Sequence, residues 1–121
     1  MSWDAATAVQ YLDQHAYAES HSRCAHFTAE AIAAGGIRIH TVNSAKDFGP
    51  SLTAAGFIEV SGPDHQAGDV VVIQNIAGHP DGHMAMFDGH RWVSDFVQPR
   101  GFYPSHAYER AMPPYKLYRH P

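Results

Sequence analysis

The change of hydrophobic period at Gly56 most constrains the fold of this chain. Before it, apolar residues recur at helical spacing, so each helix has one face to bury. After it come short runs rich in β-branched and aromatic residues, "FIEV", "DVVVIQN", "HMAMF", "RWVSDFV" and "YKLYR", separated by Gly, Pro and Asp. Such runs read as strands. Helices first and strands afterwards predict an α+β fold, with N-terminal helices packed on a mainly antiparallel sheet.

Ser2 is the expected N-cap of a first helix over residues 3–17, in which Ala5, Val9, Leu12 and Ala16 share a face. "AESHS" breaks it and supplies two further caps, Ser20 and Ser22. A second helix starts at Cys24, carries Phe27, Thr28, Ala31 and Ile32 on its apolar face and closes at Gly35-Gly36. Asn43 or Ser44 caps a shorter third helix through "AKDFGPSLTAAG", which Gly49-Pro50 can kink or restart and Gly56 ends. "MFDGHRW" is the strongest hairpin signal, since Asp88-Gly89 is a favoured turn pair.

A length of 121 residues suits one core, so residues 1–121 are expected to form a single domain. The formal net charge is -4 and the eight Lys and Arg are scattered singly, which argues against a nucleic-acid partner. One cysteine allows no internal disulfide. Asp4 stands where a signal peptide carries basic residues, and no run approaches the roughly 18 to 20 apolar residues that cross a bilayer. The expectation is a chain made in the cytoplasm without a signal peptide and without membrane insertion.

Cys24, alone and on an apolar helix face, is on base rates a packed hydrophobe. Its place at a helix N-terminus changes that expectation. Unpaired N–H groups and the positive end of the helix dipole favour a thiolate, which predicts a pKa below that of a free thiol. The same N–H groups can hold the oxyanion of a tetrahedral intermediate. A thiol nucleophile also needs a proton carrier, and His83 opens the apolar strand "HMAMF". A third group should orient the imidazole. A three-residue loop of Asp88, Gly89 and His90 would set Asp95 opposite His83, and a two-residue loop would set Ser94 there. A carboxylate orients and charges an imidazole better than a hydroxyl, which favours Asp95.

Taken together, "SRCAHFTAEAIAAGG", "AGDVVVIQ" and "GHMAMFDGHRWVSDF" resemble the small papain-like cell-wall amidases of the NlpC and CHAP type, and most closely the type VI secretion amidase effectors. "AKDFGPSLTAAGF" and "PPYKLYR" fit the same pattern, so the likeness runs from Ser20 nearly to the end. It implies a minimal papain-like fold and a cysteine peptidase that cuts amide bonds in peptidoglycan stems or crosslinks. The bond between γ-D-glutamate and diaminopimelate is the weak preference. Carried over residue by residue, Cys24 is the nucleophile, His83 the general base and acid, and Asp95 the orienting group. Tyr17 and Ser22, just upstream of the thiol, are the expected oxyanion or substrate contacts, with Tyr11 the other tyrosine available. The resemblance further implies no cofactor or metal, a cognate immunity protein, and export by a secretion apparatus into the periplasm of a target cell.

Two rival readings come from other classes. Four of the ten histidines fall between residues 65 and 90, and His79 and His83 with Asp81, Asp88 or His90 could hold zinc for metal-assisted hydrolysis. Pro80 and Gly82 inside "HPDGH" argue against a helical ligand pair. Alternatively the chain is a non-catalytic binding module, with Cys24 as packing and Trp92, Tyr103, Tyr108, Tyr115 and Tyr118 as an interaction face.

Overall fold

In the structure, a computed structural model, residues 3–17 and 23–121 are described. The run Val70–Ile73 (β2) is buried along its whole length, because it lies inside a sheet covered on both faces. Among the described residues that sheet has the order β1-β5-β2-β3-β4, with β1 Ile58–Val60, β3 His83–Phe87, β4 Trp92–Val93 and β5 Tyr115–Arg119. Every pairing in it is antiparallel. The C-terminal strand β5 inserts between β1 and β2, so the last segment of the chain closes the core.

Alternation along the strands divides that core. Val70, Val72, Met84, Met86 and Val93 face one side, where Leu12, Ile32, Phe48 and Leu52 of the N-terminal half pack. Val71, Ile73, Ala85, Trp92 and Leu117 face the other, under Tyr108, Phe102 and Tyr103. Trp92, Tyr108 and Tyr118 are buried, so three of the five aromatics of the binding-module reading are core residues.

The first helix, α1, spans Ala5–His15, shorter than residues 3–17. Asp4 is its N-cap: the carboxylate accepts from Thr7 N at 3.0 Å and from the Thr7 hydroxyl at 2.8 Å. Ser2, the expected cap, lies outside the described residues, as do Ser20 and Ser22. Asp4 N donates to Gly35 O at 2.9 Å, which ties the start of α1 to the end of the second helix, α2 (Cys24–Ala34). Gly36 adopts the left-handed conformation that ends α2, and Ile37 N turns back to Ile32 O. The expected third helix is two pieces, a 3-10 turn at Ala45–Asp47 and α3 at Gly49–Ala54, because Pro50 can start a helix but not continue one. An unanticipated fourth helix, α4, spans His106–Ala111 under a Ser105 cap.

The sheet margin is clamped by Arg119, whose Nε and NH2 donate to the two oxygens of Asp69 at 2.8 Å each. Asp69 is 1% exposed. Arg119→Met would leave that carboxylate buried without its cation, and stability is expected to fall by about 3 kcal/mol. Urea unfolding at pH 7 measures it, and a shift under about 0.5 kcal/mol would show the pair to be dispensable.

Candidate active site

The chain after β3 decides the site. The turn is a four-residue loop, 88–91, in which Asp88 N donates to Arg91 O and the Asp88 carboxylate accepts from His90 N and Arg91 N. Phe87 therefore pairs with Trp92 and Met86 with Val93. Neither the two- nor the three-residue loop forms, so neither Ser94 nor Asp95 is set opposite His83. The strand also stops at Val93 and doubles back: Ser94 N donates to Phe96 O, Val97 bridges to Val93, and Gln98 N donates to Trp92 O. This reversal carries the Gln98 side chain under the His83 ring.

Gln98 takes the place expected for Asp95. His83 Nε2 lies 2.7 Å from Gln98 Oε1, and Gln98 Nε2 donates to Gly101 O at 2.7 Å and Phe102 O at 3.0 Å. The two carbonyls demand the amide nitrogen, so the amide oxygen must face the imidazole. His83 then donates from Nε2 and keeps its lone pair on Nδ1. The whole arrangement is buried, with Gln98 1% and His83 7% exposed.

Asp95 serves the helix instead. Fully buried, it accepts from Arg23 N at 2.9 Å at the start of α2, and its negative charge raises the pKa of both Cys24 and His83 without holding the imidazole. Ser94 is buried and lies 3.5 Å from the Asp95 carboxylate. Tyr17 pairs with Phe96 through the backbone and leans its ring on Phe27 at 5.5 Å, and it does not line the cleft. Ser22 lies outside the described residues.

Cys24 and His83 both line one cleft of about 690 Å³. Cys24 is the first residue of α2, and His83 is the first of β3, the strand on which α2 packs. The backbone N–H groups of Met84, Ala25 and Cys24 surround the sulfur and favour its anion. Residues 78–82 also line the cleft and are fixed to the 3-10 turn by Lys46 N to Asp81 O and by Ser44 Oγ to the Asp81 carboxylate at 2.7 Å. Gly82 is required there. Its φ is +70°, and a Cβ would collide with the Ile73 carbonyl and the Lys46 side chain.

The electrostatics reverse the expected thiol acidity. Burial pushes the Cys24 thiol up to about 11, more than the N–H groups pull it down. Burial likewise brings His83 down to about 4 against the smaller upward pull of Gln98 and Asp95. Burial thus favours the neutral form of both groups, thiol and imidazole alike.

One consequence is acid sensitivity. His83 has a depressed folded pKa, so its contribution is fully present above the unfolded value of 6.5 and is lost as pH falls through 4. The loss should reach about 3 kcal/mol. Asp13, raised to about 6 by burial and by Asp88, runs the other way over part of that window. The difference between wild type and His83→Asn isolates the histidine. Equal slopes of unfolding free energy from pH 7 to 4 in both proteins would refute the assignment.

The zinc reading loses its donor set. Asp88 and His90 sit in the hairpin at the far end of β3, and no group of three His, Cys, Asp or Glu able to hold a metal occurs among the described residues. Sequence reasoning missed Gln98, and it considered Tyr108 only for an interaction face. Tyr108, on α4, is 3% exposed, borders the cleft and packs its ring on those of His83 and His79 at 6.0 and 5.4 Å. No described helix is long and apolar enough to cross a membrane.

No family model matches the chain, and no curated protein does. Solved structures do. A chain of the type VI native effector-immunity complex Tae3-Tai3 from Ralstonia pickettii is 47% identical, with a TM-score of 0.94 over 98% of this chain and 100% of that one. The selenomethionine form of that complex contains a match of 50% identity and TM-score 0.91, over 93% of this chain and 99% of that one.

Proposed function

The chain belongs to the Tae3 family of type VI effectors, and on that premise we propose that it is an antibacterial peptidoglycan hydrolase working through Cys24 and His83. The observation that carries the reading is the His83–Gln98 bond of 2.7 Å in the cleft that Cys24 also lines. It fixes the tautomer whose free Nδ1 can take a proton from the thiol.

The chemistry follows from that tautomer. Cys24 Sγ attacks the carbonyl carbon of a stem-peptide amide while its proton passes to His83 Nδ1, and the carbonyl becomes a tetrahedral oxyanion. The N–H groups at the start of α2 are placed to hold that charge. Collapse breaks the C–N bond, and the departing amine takes the proton from Nδ1, leaving a thioester on Cys24. Water then attacks the thioester, gives its proton to Nδ1, and the C–S bond breaks as the proton returns to sulfur. A neutral resting pair suits this sequence, since no charge is buried until substrate arrives.

The bond between γ-D-glutamate and diaminopimelate is the favoured target, the fold is read as a minimal papain-like one, and the helices and sheet together as one catalytic domain. The partner in this reading is a cognate immunity protein, because the similar chains come from effector-immunity complexes. Export into a target cell's periplasm belongs to the same reading. Digestion of purified peptidoglycan, followed by mass spectrometry of the released muropeptides, tests it. Wild type should release stems cut at one amide and Cys24→Ala none. Equal release by both proteins, or release abolished by a chelator and spared by a thiol alkylator, would overturn the cysteine mechanism.

A further inference from the structure

Tyr108 combines three observations that packing alone does not explain. The residue is 3% exposed, yet its hydroxyl is bonded by no described residue and opens into the cleft. The ring is buried while its polar end is left at the cleft for water or a ligand to meet. That hydroxyl is close enough to the sulfur for charge on Cys24 to disfavour its ionisation. The ring itself is held, between His79 and His83 on one side and the Trp92 layer below, on a helix capped by Ser105.

We propose that the Tyr108 hydroxyl is a catalytic hydrogen-bond donor, meeting the substrate oxygen that becomes the oxyanion when Cys24 attacks. The inference rests on the cysteine-hydrolase reading and adds a residue to it. Backbone N–H groups at the α2 terminus meet the sulfur, and Tyr108 on α4 lines the same cleft. A phenol delivered by a separate element completes a cradle, in which charge is bound by preorganised donors without reorganisation. Tyr108 donates a hydrogen bond and keeps its proton throughout. Burial, with Cys24 and Asp81 nearby, pushes its pKa up to about 12, so it remains a donor at any working pH. No covalent bond to the phenol forms or breaks.

The test is Tyr108→Phe, which removes one oxygen and keeps the ring. With purified peptidoglycan as substrate, kcat is expected to fall roughly 10²-fold, the typical loss of one oxyanion donor, while KM changes little. Thermal unfolding and the rate of Cys24 alkylation by iodoacetamide, a reaction with no oxyanion, should match wild type. A kcat within about twofold of wild type would overturn this proposal alone. So would a loss of activity accompanied by an equal loss of alkylation rate or by unfolding, since the hydroxyl would then be structural. Wild type inert on peptidoglycan, or Cys24→Ala as active as wild type, would overturn the parent reading and this one together.

Discussion

His83→Gln is expected to lower peptidoglycan turnover roughly 10³-fold, in the middle of the range for loss of a general acid–base group. The cause is specific to the neutral pair. With burial pushing Cys24 up to about 11, the thiol form is favoured at neutral pH, and in the proposed mechanism the sulfur needs a base that removes its proton as it attacks. A glutamine amide at position 83 sets its nitrogen where Nε2 stands, so it can still donate to Gln98 Oε1, but it has no basic nitrogen. Glutamine is the better test than alanine. His83 is buried, and truncation would strand the Gln98 oxygen at a cost of about 1–3 kcal/mol, confusing lost chemistry with a loosened core. Circular dichroism and turnover measured on one sample separate the two. Retention of more than a tenth of wild-type turnover would remove His83 from the mechanism. Alkylation supplies a second reading of the same electrostatics: the wild-type rate should keep rising above pH 9, whereas a plateau near neutrality would restore the acidic thiol that the helix N-terminus alone suggests.

The period change at Gly56 carries most of the architecture. Helical spacing placed Leu12 and Ile32 in the core, and the unbroken "VVVI" of β2 has the composition of a strand covered on both faces. Cys24 as the first residue of a helix and His83 as the first of a strand were legible for the same reason, since both sit where a periodic pattern begins. Other features depended on tertiary contacts. Asp88-Gly89 announces a turn but not its length, and here the Asp88 carboxylate stabilises a four-residue loop by accepting two N–H bonds. The reversal after Val93 is held by bonds to Trp92 and Val93 that no local pattern foretells. Without it a neutral glutamine outside the hairpin had no reason to be considered. The missed helix α4 did have a signal: Ser105 followed by "HAYERA", with Pro104 before and Pro113 after, is a capped run of good helix formers. Thiol acidity is not legible in the sequence, because a helix N-terminus can be read there and the depth of burial that opposes it cannot.

Gln98→Ala should cost more turnover than Asp95→Asn, and the order of the two is a direct test of which residue orients the imidazole. Removing the glutamine frees the His83 ring and leaves the Gly101 and Phe102 carbonyls without their donor. Turnover is expected to fall roughly 10²-fold, as when a residue far from the chemistry loosens the reacting geometry, and stability by about 2 kcal/mol for the stranded carbonyls. Asp95→Asn keeps an oxygen for Arg23 N and removes the negative charge. That charge raises both Cys24 and His83, so its loss should lower both: the thiol becomes easier to alkylate and the imidazole harder to protonate. The two shifts oppose each other in an attack that moves a proton from sulfur to nitrogen, and the net change in turnover should stay within about tenfold. Faster alkylation of Asp95→Asn than of wild type at pH 7 is the signed result that only this arrangement requires. A loss of turnover in Asp95→Asn equal to that in Gln98→Ala, with both proteins folded, would return the orienting role to the carboxylate.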